Sequence, residues 1–588
     1  MSQKKYRKLR AMAKVKEEKT NEVGLEVVND ITKRKSFWDL IKKNWGFLLL
    51  LIIGTVLLYL NAQDGAFVSD DYATISQNPK ILDVKDAFFN PAMTFNSMHM
   101  SNYFVSLVFG NQNPIAHHVF SLILYLIFLV IAFGFVAKLF GEKIAIITSL
   151  IFAAHPIHVE AVSWISGRIY VFIGLYILLG FMAFINYIET GKLKYIIWTG
   201  VCFILGYLTD RPRPFSLVLL ILLYMWYVGW NNKIIKERVH RFMPYIWASF
   251  VLFVIFAIPF IKIRINAVNS GYNFSESIFY NPFFQYPTGL AKYLQILWIP
   301  VDMTLYHTLY VFEPWLNWLI TLLMLGCLIY FYIKSRKYFF AWMFMLLVLA
   351  PSMAPIKVSW LVAERYMFLG SLGFCMFLAF LYEDIDKRIK VVAPILLTIL
   401  LMFYCVRTYL RNDDWQTNHK LWVRTVQYSY NSHNAWNNIG DDYDKLGQMD
   451  NAIKGFGQSY VVKPNYADAY HNQANIFFKI KRYDLARAGY EKALSYGPGL
   501  YQSYISLTQV ALFQNDLNGA YGYASKLLEV QPNNSQAHYV MGVVMAQAGK
   551  MDEAKKYINQ ALKLNPDFVQ ARTILQQLEM ATKGKGSS

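Results

Sequence analysis

The 588-residue chain is 55% hydrophobic and only 16% charged, which excludes an ordinary soluble protein. Its apolar runs reach the roughly 20 residues that a bilayer crossing requires. The formal charge of +19 does not point to nucleic acid as a partner, because thirteen Lys or Arg residues fall in the first 43 positions, ahead of the first apolar run. Much of the remaining charge sits in short loops such as Ser335-Arg336-Lys337, the pattern by which a membrane protein sets its orientation against membrane lipids.

In chain order, residues 1–44 are expected to form a basic cytoplasmic tail. The run 45–60 should stay in the membrane as an anchor, since the basic stretch before it is too long for a cleavable signal. Eleven spans are expected within 45–410, centred near Ile52, Leu126, Thr148, Leu178, Phe203, Leu222, Phe253, Leu325, Leu346, Phe377 and Leu400. With the N-terminus inside, every inner loop is basic: Lys138 with Lys143, Lys192 with Lys194, then 233–241, 334–337 and 387–390. The C-terminal arm then falls on the outer face. The stretch 286–300, short and broken by Pro287 and Pro300, reads as a re-entrant or interfacial helix rather than a twelfth span. Cys202, Cys327, Cys375 and Cys405 lie inside apolar segments with no metal-ligand spacing, and read as small core residues.

After a connecting helix over 411–433, Pro464, Pro498, Pro532 and Pro566 recur every 34 residues, the period of a tetratricopeptide (TPR) helix-turn-helix solenoid. Ala452, Ala486, Ala520 and Ala554 keep the same beat, as do Ala435, Ala469, Ala537 and Ala571, with Ser503 in the remaining slot. Small residues let paired helices approach closely, and each proline stops the second helix of its repeat. The solenoid is expected over 434–582, its last helix (569–582) acting as a cap, with a disordered tail at 583–588. A groove rich in Tyr and Asn (Tyr470, His471, Asn472, Asn475, Tyr501, Tyr504 and Tyr539) suits a protein or peptide partner, although most of these aromatics are expected to pack between repeats. The fold class is therefore all-α, a polytopic membrane domain followed by a TPR solenoid.

Four polar islands fall on the outer face: 61–114, 155–168, 209–214 and 351–365. In the first, Ser69-Asp70-Asp71-Tyr72 carries two adjacent carboxylates that cannot point the same way. One can face a substrate as a proton acceptor while the other is held by a basic residue or a metal; a solvated turn or helix cap is the alternative. In the second, His155, His158 and Glu160 could make a metal corner, but the spacing is not that of a zinc peptidase and no third ligand is obvious. A proline-broken span lining a cavity mouth is the preferred reading. In the third, Arg211 and Arg213 on a proline-stiffened turn could clamp a phosphate or snorkel at a headgroup boundary. In the fourth, Arg365 needs an anionic partner, which could be Glu364, Asp210 or a lipid phosphate.

These islands occur in the order found in the TPR-bearing transmembrane O-mannosyltransferases, a family of GT-C glycosyltransferases, which the chain resembles over most of its length. The segment His155-Pro156-Ile157-His158-Val159-Glu160-Ala161-Val162-Ser163-Trp164-Ile165-Ser166-Gly167-Arg168 is similar nearly letter for letter to the family's signature. So is Ala363-Glu364-Arg365-Tyr366 with the following Gly370-Ser371-Leu372-Gly373-Phe374-Cys375. Asp70-Asp71 with Asn78-Pro79, and Asn113-Pro114 with His118, resemble its first loop and second span. The chain departs from the family at Thr209-Asp210-Arg211, where Ser-Lys-Glu is usual, at Tyr170, where an acidic residue is common, and at Thr94-Phe95-Asn96 in place of a Tyr-Arg-Pro element.

The resemblance implies a polyprenyl-phosphate-linked sugar as donor, a Ser or Thr hydroxyl as acceptor, and an inverting displacement at the anomeric carbon. By carry-over Asp70 is the general base and Asp71 its support. Arg365 and Arg211, with Arg213 and Arg168 behind them, are candidates for the donor phosphate. His155, His158, Glu160, Glu364 and His118 are expected to line the cavity. No cofactor is certain; a divalent metal is possible. The membrane would be a bacterial inner membrane or an endoplasmic reticulum, with the arm periplasmic, outside or lumenal. The competing expectation is a non-catalytic, membrane-anchored TPR scaffold derived from such an enzyme.

Overall fold

The computed structural model describes residues 36–89, 96–229, 233–241, 251, 281–308, 313–353 and 360–585, and all regular structure among them is helical. The basic tail up to residue 35, the span centred on Phe253, and Thr94-Phe95 lie outside the described residues. The chain divides into two compact units, Met1–Arg424 and Thr425–Ser588.

In the first unit, ten of the eleven expected span centres fall within helices, the eleventh being Phe253. Length is where the structure departs from expectation. Among the described residues four helices are long and apolar enough to cross a membrane: Pro114–Phe140, Ile165–Thr190, Pro314–Lys334 and Val392–Asp414. The number rises to six if two bent pairs, Phe37–Lys43 with Trp45–Leu58 and Glu142–Ala154 with Pro156–Val162, each count as one span. The others are cut short of the roughly 20 residues a span takes, for local reasons. Leu193–Thr209 and Phe215–Val228 flank the proline turn, Arg336–Leu349 ends at Ala350-Pro351, and Ser371–Arg388 runs into a charged stretch. The stretch expected to be re-entrant is a 17-residue helix, Pro282–Trp298, with Pro287 inside it.

The centre of this unit is an aromatic seam. Phe128 packs against Phe152 at 5.3 Å and Phe368 at 4.8 Å, and Phe152 stacks on the His158 ring at 3.9 Å. It joins helices Pro114–Phe140 and Glu142–Ala154 to the turn that follows and to the segment leading into Ser371–Arg388, so it fixes where the polar islands meet. Pro314–Lys334 and Val392–Asp414, by contrast, leave Leu322, Leu323, Ile329, Ile395 and Ile399 exposed, as helices facing lipid would.

The second unit keeps its 34-residue register. First helices begin at His433, Ala467, Tyr501 and Ser535, second helices at Met449, Tyr483, Leu517 and Met551, and each recurring proline lies two residues past the end of a second helix. All nine residues of the two small-residue series are wholly buried. At the first crossing, a Cβ on Gly455 would stand 2.9 Å from the Cα of Gly440, so only glycine permits that approach. The closing helix, Val569–Lys585, continues through Lys583, Gly584 and Lys585, which the sequence had assigned to a disordered tail.

A second periodicity sits in the turns. Gly447, Lys481, Asn515 and Gly549, again 34 apart, all have positive φ, between 56° and 78°. Glycine takes this conformation freely and asparagine tolerates it, whereas lysine is strained by roughly 1 kcal/mol. Lys481→Gly is therefore expected to raise the urea midpoint of the repeat arm, by up to about 1 kcal/mol in unfolding free energy. An unchanged or lower midpoint would show that the turn carries no strain.

Candidate functional site

The acidic pair is split by the backbone. Ser69 sits in the left-handed region at φ 52°, its amide donating to Asn418 Oδ1 at 2.8 Å. The next two carboxyls then leave in different directions. Asp71 is wholly buried, and its carboxylate accepts from the Val68 amide at 3.2 Å, the Ser166 amide at 2.9 Å and the Ser166 hydroxyl at 2.5 Å. Burial pushes its pKa up to about 6, against the pull of those hydrogen bonds and of the Arg168 charge. Asp71 thus staples the loop after the first apolar helix to the turn 155–168. Asp70 reaches solvent, yet enough protein surrounds it to raise its carboxyl above the ordinary value, while the Arg365 charge opposes that rise.

The turn itself is compact because Gly167 passes over the Glu160 carbonyl, where a Cβ would come within 2.2 Å of the oxygen. Glu160, fully buried, forms an ion pair with the Arg365 guanidinium and accepts from the Arg365 amide at 2.8 Å. Glu364 faces the other way: Arg411 donates to both its oxygens, at 3.2 and 3.1 Å, and also to Asp414 at 3.0 Å. The partner of Arg365 is therefore Glu160, which sequence reasoning had not paired with it.

Arg365 and Arg213 line a narrow cleft of about 20 Å³, room for about one water, together with Tyr170, Tyr366, Ser216 and Phe368. Arg213 lies over the Tyr170 and Tyr366 rings at 4.7 and 4.8 Å and is ion-paired to Asp210. Arg365 lies over Tyr366 at 5.0 Å and Trp164 at 5.4 Å. Two guanidiniums are thus presented side by side on aromatic faces, each matched to a carboxylate.

The other expected site residues lie elsewhere. Arg168 is wholly buried and donates to the Ile165 carbonyl at 3.0 Å, to Ser101 and to His117, so it braces the turn rather than facing the cleft. Arg211 is half-buried and does not line the cleft. The five residues expected on the cavity wall are buried behind it. His155 bonds the Leu297 carbonyl at 2.9 Å, His158 the Ser371 hydroxyl at 2.7 Å, His118 lies against Gly65, and Glu160 and Glu364 are committed to their arginines. Among the described residues no group of three His, Cys, Asp or Glu is placed to hold a metal ion.

In the arm, the expected groove residues are half-buried in contacts between helices. Tyr470 stacks on Tyr460 at 4.4 Å, His471 bonds Ser503 at 2.8 Å, Asn472 bonds Asn437 at 3.0 Å, and Asn475 accepts from Tyr490 at 2.7 Å. Tyr501, Tyr504 and Tyr539 pack on the core of the last repeats.

Against known proteins, residues 467–498 and 511–578 match tetratricopeptide-repeat family models. The human protein O-mannosyl-transferase TMTC3 is 24% identical over 88% of this chain and 68% of its own length. The mouse TMTC3 is 22% identical over 90% of the chain, which spans 61% of that relative. A protein O-mannosyl-transferase of Caenorhabditis elegans is 21% identical over 71% of the chain. The chain resembles the protein O-mannosyl-transferases. The likeness covers both the membrane unit and the repeats, as the motifs in the turn 155–168 and around Arg365 had indicated. Solved structures include MamA, 20% identical over 26% of this chain and 90% of its own, and the TPR protein YrrB, 17% identical over 28% and 84%, each with a TM-score of 0.24. The repeat assignment rests instead on the family models and the 34-residue recurrence.

Removing the Asp71 staple strands three donors at once. Asp71→Ala is expected to destabilise the membrane unit by roughly 2–3 kcal/mol, with Asp71→Asn milder because it keeps an acceptor for Ser166. Thermal unfolding in detergent and proteolysis within 61–89 measure this. An alanine variant as stable and as protease-resistant as the parent would show that the loop is held by other contacts.

Proposed function

We propose that the chain is a membrane glycosyltransferase of the GT-C type. It transfers a hexose, mannose by the name its relatives carry, from a polyprenyl-phosphate donor to Ser or Thr of a protein on the extracytoplasmic face. The observation that carries this reading is the juxtaposition of Asp70 and Arg365. An open carboxylate, with Asp71 turned inward to hold the loop, stands within electrostatic reach of a guanidinium that lines the cleft beside Arg213.

The chemistry asks for those two parts. Displacement at an anomeric carbon passes through an oxocarbenium-like state, needing a base on one face of the sugar and charge stabilisation for the departing phosphate on the other. Asp70 takes the acceptor hydroxyl proton; its raised pKa makes it a better proton acceptor than an ordinary aspartate. Arg365 and Arg213, aligned by Tyr170 and Tyr366, face the phosphate. The TPR arm supplies affinity for the acceptor through the surface of its repeats.

Asp70→Asn is expected to cut transfer by roughly 10²–10⁴-fold without loss of expression or of donor binding. Mass spectrometry of exported proteins should show the hexose on Ser or Thr disappearing. If no condition reveals such a hexose even with the parent chain, the non-catalytic scaffold is the correct reading.

The pH dependence has a definite sign. The base works only when deprotonated, so kcat/KM should rise with pH and level off. The midpoint should lie above the ordinary aspartate value near 4, because the Asp70 pKa is raised. A rate that falls with rising pH through the acid range would remove Asp70 from the role.

A further inference from the structure

Among the described residues of the membrane unit, Ser69 is the only non-glycine residue with positive φ, at 52°. It is the first central residue of a four-residue turn, closed by the Asp71 amide on the Val68 carbonyl at 3.1 Å, and Asp70 is the second. Positive φ at the first centre alone is the pattern of a type II′ turn, where glycine is the usual occupant and a side chain is strained. Strain beside a reactive group persists only where surrounding contacts hold it. Most contacts here lie on either side of Ser69. Val68 is wholly buried, and its amide bonds the Asp71 carboxylate. Past the turn, the Asp70 carbonyl accepts from the Thr74 amide at 3.0 Å and the Thr74 hydroxyl at 2.8 Å. The chain then enters a single π-helical turn, Tyr72–Ser76. A turn with negative φ at both centres would close through the same Val68–Asp71 bond, so that bond does not select the strained form. The bond on Ser69 itself runs to Asn418, at the start of the helix Asn418–Tyr428, whose Oδ1 takes the Ser69 amide at 2.8 Å.

Resting on the reading of Asp70 as the base, we propose that Asn418 is a positioning residue for the transfer: its side-chain oxygen locks the turn in the left-handed form that points Asp70 outward. Asp70 is exposed, and among the described residues its carboxylate accepts no hydrogen bond. Its direction therefore follows the backbone of the turn. Without Asn418 the strained φ has nothing to hold it, and Ser69 relaxes to negative φ. Asp71 stays stapled to Ser166 while Asp70 swings away from the position where it meets the acceptor hydroxyl.

The test uses the full chain. Asn418→Ala is expected to lower the initial rate of hexose appearance on exported proteins by roughly tenfold to a hundredfold, the loss that follows when a catalytic group shifts by about 1 Å. Its melting temperature in detergent should stay near the parent's, because both bonded residues are half-buried and water can replace the lost acceptor. Ser69→Gly added to Asn418→Ala should recover much of the rate, since glycine takes positive φ without help. A purely structural Asn418 would gain nothing from a substitution that only loosens the chain. Ser69→Val, whose branched side chain resists positive φ, should lose as much rate as Asn418→Ala. The aim of residue 70 is also read without transfer. In Asp70→Cys, Asn418→Ala should shift the maleimide labelling rate of the introduced thiol severalfold, and Ser69→Gly should move it back. Asn418→Ala transferring as the parent does, or a loss that Ser69→Gly leaves unrepaired, overturns the proposal. So does a labelling rate indifferent to position 418. A parent that places no hexose on any protein while the thiol responds removes the enzyme and leaves Asn418 as the residue that sets the acidic turn.

Discussion

Two adjacent residues, Glu364 and Arg365, each buried and each paired in a different direction, set the geometry of the membrane unit. Arg365 reaches Glu160 in the turn that follows Glu142–Ala154, and Glu364 reaches Arg411 at the end of Val392–Asp414. A buried pair adds little net stability over apolar packing, but stranding one partner costs roughly 3–5 kcal/mol. The consequence is register: the turn 155–168, the short helix Glu364–Met367 and the last long helix cannot slide past one another without exposing a bare charge to the interior.

That register reaches the acidic pair through the end of the last helix. Asn412 donates to the Leu58 carbonyl and accepts from the Ser163 hydroxyl, Gln416 donates to the Asn61 carbonyl and accepts from the Ala66 amide through its own carbonyl, and Asn418 takes the Ser69 amide. Trp415 stacks on Trp164 at 5.6 Å, and Trp164 in turn lies under Arg365. A short polar segment at the end of the last long helix therefore holds the loop after the first apolar helix against the turn, and Asp71 closes the contact from the other side. Asp70 is aimed by this frame rather than by its own interactions.

Where sequence was enough and where it was not follows from the range of the signal. The repeat period of the arm was legible, because its pattern is local and repeats, although the last helix runs three residues into the expected tail; the left-handed turn residues share that period, and Gly447 and Gly549 could have revealed it. Lys481 and Asn515 hide it, since neither announces a positive φ. The split between Asp70 and Asp71 was legible as a steric necessity. Which carboxylate turned inward was not, since Ser166 is 95 residues away. The five residues expected on a cavity wall were placed by polarity and by resemblance to a family motif, neither of which separates a lining group from a buried one that has found its partner. Span number was overestimated because hydropathy reports composition, whereas helix length depends on interruptions such as Pro212, Pro214 and Pro351.

The two departures near the cleft are linked by the geometry. Tyr170 stands where an acidic residue is usual in the family the chain resembles, and its ring lies within reach of both guanidiniums, 4.7 Å from Arg213 and 5.9 Å from Arg365. An acid there would offer one negative charge to both. Tyrosine offers its ring face and a neutral hydroxyl that reaches Arg365, and each arginine pairs with a carboxylate of its own. Arg365 has Glu160, and Arg213 has Asp210, which is itself a departure from the usual lysine. Arg213 is thus held at the cleft by Asp210 and Arg365 by Glu160, each guanidinium neutralised within its own pair.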